Sequence, residues 1–253
     1  MSRLVFGIQP VREAIRVHGN AIERLLILDR PNGKESRTLD GVAKFAEASG
    51  VATERVDRRK LEQVAHGGNH QGIAAFAPEL RINTFAELLE TAPDLVTLLD
   101  RITDPQNFGA IIRSSVAFGS RGIIWPEHDS APLSPATFRA SAGAVEHASL
   151  CRVRSLPSAI QALRHEGFFV VGLAGEGSEP LDQFDLTRPT ALVVGAEGSG
   201  LRKGVRSACD VIARLPTGAP LDTLNASVSA GVALYEVRRQ RLAASHESED
   251  GAA

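Results

Sequence analysis

Little in this chain lends itself to redox or metal chemistry. Only two cysteines are present, Cys151 and Cys209, far apart and in no Cys-x-x-Cys or Cys/His spacing. That excludes a disulfide framework or a zinc ribbon, and both read as reduced, mostly buried thiols. The seven histidines form no pair at metal-ligand spacing, so no metal site is expected. No apolar run reaches the roughly 18–20 residues that cross a bilayer, and the opening MSRLVFGIQPV lacks a signal-peptide core. The expectation is a cytoplasmic protein with no membrane partner. Nucleotide loops are missing as well. Gly195 and Gly200 are followed by Leu201 where a Walker loop needs Lys, and Gly198-Ser199-Gly200 leads into Leu201-Arg202-Lys203, which breaks a G-x-G-x-x-G fingerprint. No Ser/His/Asp or Cys/His arrangement points to hydrolysis, and no carboxylate cluster to metal-assisted phosphoryl transfer.

Charge of one sign is also scarce. The net charge is −2 over 253 residues, which does not announce a nucleic-acid binder, but the distribution is uneven. Residues 1–81 hold 13 Lys/Arg against 10 Asp/Glu. Their cluster Arg55, Arg58, Arg59, Lys60 suits contact with RNA phosphates, and equally a solvated helix face. With 43 % apolar residues the chain can bury a sizeable core.

Two domains are legible. In residues 1–78, helical patterns at 10–18, 35–49 and 58–65 alternate with apolar or alternating stretches at 22–28, 51–56 and 73–77. This predicts a small α/β unit of about three strands, with 79–84 as linker. His70-Gln71-Gly72 reads as a turn or as an RNA contact. Across 85–242, short Val/Ile/Leu-rich strands at 95–100, 122–125, 168–173, 191–194 and 211–215 are mostly separated by helices. That pattern predicts a mostly parallel sheet, whose ligands bind at the carboxyl ends of the strands. Residues 243–253, polar and acidic, read as a disordered tail.

Three strand-end loops carry the polar residues. The first, DPQNFGAIIRSS, places Asn107 where it can cap a helix running to Phe118, puts Gly109 in the first turn, and sets Arg113 amid apolar neighbours. Such an arginine is either a snorkelling surface residue or a phosphate ligand. The second, VVGAEGSGLRK, has three glycines and Glu197. An earlier stretch, VVGLAGEGSE, echoes it and reads as a simple turn. The third, LPTGAPLDTLNASVSAGVALYE, opens a long helix at Asn225 or Ser227, with Thr223 beside them.

These three stretches resemble the three motifs of the SpoU (TrmH-type) branch of the SPOUT RNA methyltransferases, in the same order and spacing. FGIQPVREAI and HQGIAA resemble the substrate-binding domain of the members that modify a guanosine of 23S rRNA. The likeness covers about residues 4–242. It implies S-adenosylmethionine (SAM) as cofactor, methyl transfer to a ribose 2′-hydroxyl of ribosomal RNA, a deep trefoil knot near the C-terminus, and a homodimer whose active site uses both subunits. By the same resemblance Arg113 is the central catalytic residue, with Asn107, Glu197 and Asn225 placing the substrate and that arginine. Gly195, Gly200, Leu215, Leu224 and Ser227 belong to the cofactor loops. Thr223 stands where the family usually has Ser; the hydroxyl is kept, with a stiffer rotamer. Two other readings share the fold: a tRNA 2′-O-methyltransferase and a non-catalytic RNA-binding protein.

Overall fold

The computed structural model describes residues 2–29, 37–218 and 224–250. The first elements are β1 (Ser2–Phe6), α1 (Ile8–His18), β2 (Arg24–Leu28), α2 (Arg37–Ala48), β3 (Thr53–Val56), α3 (Arg58–Val64) and β4 (Ile73–Pro78). Then come β5 (Ile82–Asn83), α4 (Phe85–Glu90), β6 (Leu95–Asp100), α5 (Pro105–Ala117), β7 (Gly122–Pro126), α6 (Pro135–Ala140), β8 (Ser149–Val153) and α7 (Leu156–His165). The chain finishes with β9 (Phe169–Leu173), β10 (Glu179–Pro180), β11 (Thr190–Gly195), α8 (Lys203–Ala208), β12 (Val211–Arg214) and α9 (Ala226–Asp250).

The chain forms two compact units. One comprises Met1–Arg81 with Leu133–His147, the other Ile82–Pro132 with Ala148–Ala253. In the first, four strands pair in the order β1-β4-β2-β3. The three strands read from the sequence gain β1, which lies antiparallel to β4 from Ser2↔Pro78 to Phe6↔Ala74. The turn before β4 has a structural role: Gln71 Oε1 accepts the Ile8 N–H at 2.8 Å, and the His70 ring accepts the Gly72 N–H at 3.0 Å. Residues 35 and 36 of the 35–49 helix lie outside the described residues.

Residues 133–147 differ most from the linear domain reading. Instead of completing the parallel sheet, α6 and the turn after it belong to the first unit. Phe138 lies under the Arg3 guanidinium, 4.9 Å from ring centre to Cζ. The Glu146 carboxylate, fully buried, accepts Arg3 Nη2 at 2.5 Å and stands 2.9 Å from His18 Nε2. A carboxylate so placed is tolerable only when paired.

The second unit is built on one eight-stranded sheet, β10-β12-β9-β11-β6-β7-β8-β5, and every pairing in it is parallel. Strand β6 is buried along its whole length, as expected when helices cover both faces. The next strand after β6 lies on one side of it, whereas β11 leads to β9 and β12 on the other. The sheet therefore changes direction between β6 and β11, which is where an open α/β sheet offers a crevice.

Of the tail expected over 243–253, residues 251–253 lie outside the described residues. Helix α9 continues to Asp250, because Leu242 through Asp250 contains neither Gly nor Pro and several good helix formers.

Candidate active site

The polar residues singled out in the sequence meet at the carboxyl ends of β6 and β11. Asp104, not Asn107, caps α5: its carboxylate accepts the N–H groups of Gln106 and Asn107 at 3.1 and 3.2 Å, and Pro105 fills the first helical position, whose N–H would have no partner. Asn107, three residues past the cap, is thereby free to use its side chain elsewhere. Helix α5 is held to the sheet by Phe108, Ile111 and Ile112, all fully buried, with Phe108 edge-on to Trp125 at 5.6 Å. A buried hydroxyl chain adds direction, Ser115 to Thr97 at 3.0 Å and Thr97 to Ser120 at 2.9 Å.

Asn225 links two of the three loops. Its Oδ1 caps α9, accepting Ser227 N at 2.9 Å, Ser227 Oγ at 2.6 Å and Val228 N at 3.4 Å. Its Nδ2 donates to Asn107 Oδ1 at 3.0 Å and Glu197 Oε2 at 3.2 Å. Asn107 Nδ2 donates to the same Glu197 oxygen at 3.4 Å. One carboxylate thus collects two amides from two helices, and the Glu197 oxygen not so engaged is exposed with the rest of that side chain.

Glu197 is carried by a loop folded tightly on itself. A Cβ at Gly195 would lie 2.4 Å from the Gly200 carbonyl carbon and 2.7 Å from Leu201 N, so only glycine lets the loop return there. Gly198 and Gly200 have φ of +79° and +61°. The echo at 170–179 is a plain turn: Gly177 N–H bonds Ala174 O, and Arg214 Nη1 donates to the carbonyls of Gly177 and Ser178.

Arg113 lies exposed on the third turn of α5, with no hydrogen bond or ion pair among the described residues. Leu215 follows β12 and is half-buried, while Leu224 is 41 % exposed. Thr223 lies outside the described residues. The basic cluster is not brought to this site; it lies in the first unit, where Arg55 pairs with Asp40 at 3.4 Å, Arg58 with Glu62 at 2.8 Å and Lys60 with Glu54 at 2.5 Å. Arg59 has no such partner among the described residues.

Four residues went unmarked in the sequence and prove close to the site: Asp100, Arg101, Ser199 and Arg202. The available signal was Asp100, a lone acid ending the apolar strand LVTLLD. Among the described residues there is no group of acidic, His or Cys side chains that could hold a metal. No described helix is long and apolar enough to cross a membrane.

The residues present fit an activated methyl donor. Glycine-rich backbone and an exposed apolar Leu224 suit a nucleoside, and an Asn/Glu/Asn cluster orients hydroxyls without being a strong proton-transfer set. Such a site at the direction change of a parallel sheet defines a group-transfer enzyme of the α/β class. Residues 94–235 match the SpoU rRNA Methylase family, and residues 4–82 match the RNA 2′-O ribose methyltransferase substrate-binding family. The chain belongs to the SpoU rRNA methylase family. It is 34 % identical to the 23S rRNA (guanosine-2′-O-)-methyltransferase RlmB of Vibrio parahaemolyticus, over 96 % of this chain and 99 % of that protein. It is 37 % identical to a tRNA/rRNA methyltransferase of Mycolicibacterium vanbaalenii, over 96 % of this chain and 78 % of the relative. Among solved structures, the SpoU methyltransferase AviRb from Streptomyces viridochromogenes in complex with AdoMet superposes with a TM-score of 0.76 at 28 % identity, covering 95 % of this chain and 91 % of that one.

Proposed function

We propose that this protein methylates the ribose 2′-hydroxyl of a guanosine in 23S ribosomal RNA, with SAM as donor. The observation that carries the reading is the convergence of Asn107, Glu197 and Asn225 on shared hydrogen bonds, in a chain that matches both the methylase and the substrate-binding family. The relative named for that reaction spans nearly its whole length.

SAM, when bound, supplies a methyl group already activated by its sulfonium. The backbone of Gly195 and Gly200 and the side chains of Leu215 and Leu224 would hold it, with Ser227 in the first turn of α9. What remains for the protein is alignment of the hydroxyl, worth several orders of magnitude in rate. Glu197, steadied by Asn107 and Asn225, accepts a ribose hydroxyl hydrogen bond. Arg113 has donors and no acceptor lone pair, so it stabilises the developing 2′-oxyanion while the proton leaves to an RNA phosphate oxygen or to water. Arg55, Arg58, Arg59 and Lys60 contribute phosphate contacts, Arg59 being the one without an ion pair among the described residues.

The reading includes a homodimer in the cytoplasm. Helix α9 buries Ala230, Ala233, Leu234 and Val237 against its own unit, yet exposes Val228, Val232 and Tyr235 at 49, 45 and 55 %. A helix apolar on two faces has a second partner to cover, and a second copy bringing its own Arg113 face completes the site. The deep trefoil knot near the C-terminus that the family implies belongs to this proposal too.

The test is methylation mapping of total RNA with and without the gene, joined to assays of Arg113→Ala. The expected outcome is loss of one 2′-O-methylguanosine from 23S rRNA, and a folded Arg113→Ala protein without turnover. A mark lost from tRNA, or full activity in the variant, would overturn the assignment.

A further inference from the structure

The loop that carries Glu197 starts beside one residue of β6, Asp100, and is clasped by that residue's carboxylate where it returns. Asp100 is fully buried at the end of β6 and stands in register with Gly195, where the loop begins. Its Oδ2 accepts the backbone N–H of Arg202 at 2.8 Å, and its Oδ1 accepts Arg202 Nε at 2.7 Å. The loop therefore leaves β11 beside Asp100 and returns to Asp100 seven residues later. Between these points it is folded on itself by the Ala196–Gly200 pairing. A second strut holds its tip, since Arg101 Nη2 donates to Ser199 Oγ at 3.0 Å. Arg101 takes this role in a left-handed conformation, φ +59°, and keeps its Nε buried without a partner among the described residues.

Each of these features is costly taken alone. The Asp100 carboxylate is buried while the Arg202 side chain is 37 % exposed; such a pair contributes little net stability, and the better-attested use of a buried charge held in this way is to fix register. A non-glycine residue with positive φ and an orphaned donor persists only where surroundings over-determine it, and such residues gather at working sites. What the arrangement secures is the place of one side chain, Glu197, opposite Asn107 and Asn225.

We propose that Asp100 and Arg202, with Arg101 as a brace, are positioning residues: they set the loop so that the Glu197 carboxylate meets the two asparagine amides. The inference rests on the methyl-transfer reading for its kinetic consequence, though its structural consequence stands apart from that reading. None of the three touches the reacting atoms in this account.

The experiment compares wild type, Asp100→Asn, Arg202→Ala, Arg202→Lys and Glu197→Ala. Arg202→Ala is the safer variant for folding, because the side chain is partly exposed and its backbone N–H still reaches Asp100. The first readout needs no activity: side-chain amide resonances of Asn107 and Asn225 in 15N–1H spectra. In folded Asp100→Asn and Arg202→Ala they should move to their positions in Glu197→Ala, and Arg202→Lys should move them back part of the way. The second readout is kinetic. Asp100→Asn should lower kcat by roughly ten- to a hundredfold, the scale of a lost charge-assisted hydrogen bond, with KM for RNA little changed. In a Glu197→Ala background it should lower kcat by less than about twofold, because residues acting through one group are not additive. Amide resonances that stay at wild-type positions, or losses that multiply in the double variant, would overturn the proposal. A wild-type protein that neither binds SAM nor transfers methyl groups would instead sink the functional reading, leaving the resonances to decide the positioning role.

Discussion

Asn225 does two jobs with one amide group, and the two can be separated. Its oxygen caps α9 and its nitrogen joins Asn107 to Glu197. Asn225→Asp keeps the capping oxygen and replaces the donor by an acceptor facing Glu197. Asn225→Ala removes both. We expect Asn225→Asp to retain the stability of α9 and lose methyl transfer. Asn225→Ala should lose transfer and also about 1 kcal/mol of stability. Thermal unfolding alongside a labelled-SAM assay checks this, and an active Asn225→Asp protein would contradict it. The cysteines have no comparable part. Burial pushes the Cys151 thiol up to about 11, and burial followed by the nearby Asp210 pushes Cys209 to about 12, so both stay neutral and unreactive near neutral pH.

At the scale of elements, α9 is fastened by its polar residues as much as by its apolar face. Gln240 accepts the Leu186 N–H and donates to Phe184 O, and Arg241 bonds the carbonyls of Leu186, Arg188 and Asp94. Glu236 accepts both Arg239 and Gln240, and chiefly the Arg239 hydrogen bond holds its carboxyl below the ordinary 4.5. A depressed carboxyl stabilises the fold above its unfolded value, and that contribution is lost as pH falls through the folded value. Wild type should therefore melt above Glu236→Gln at about pH 6, with the gap closing as pH drops below about 4.5. Melting curves over that range decide it; a gap independent of pH would place the effect elsewhere.

The elements read correctly from sequence were those with an unambiguous period. The strands β6, β7, β9, β11 and β12 are nearly unbroken apolar runs, buried for the most part except in β12. Helix α1 ends at His18 and α3 starts at Arg58 as read, although α1 begins two residues earlier. Strand β1 was missed because SRLVF becomes a strand only by pairing with β4, more than seventy residues on. Strand β8, SLCRV, has a mixed pattern, buried at Leu150 and Cys151 and less so around them. In the site, the residues themselves were legible, but not which helix end used which cap. Asp104 won over Asn107 because Pro105 fixes the first helical turn one step behind it. The Asp100–Arg202 clasp was invisible since its partners are brought together by the β6–β11 pairing alone.

For the molecule as a whole, the proposed homodimer assigns the exposed row Val228, Val232 and Tyr235 to the contact between copies. Tyr235 packs edge-on to Phe118 at 5.9 Å, so the row is continuous with the end of α5, the helix that bears Arg113. Val232→Glu puts a charge at its centre without disturbing the buried face. Light scattering should find wild type at twice the chain mass and this variant at one, with methyl transfer lost alongside. A monomeric wild type would refute the pairing.

The first unit draws on residues 133–147, which fall within the stretch that matches the methylase family. Its sequence is written in two instalments, with β5 to β7 in between, and Glu146 from the second is what neutralises Arg3 from the first. A module of this kind is not a bead on a string. An engineer who grafts residues 1–81 onto another methylase therefore has to supply a counterpart of the later stretch that neutralises Arg3.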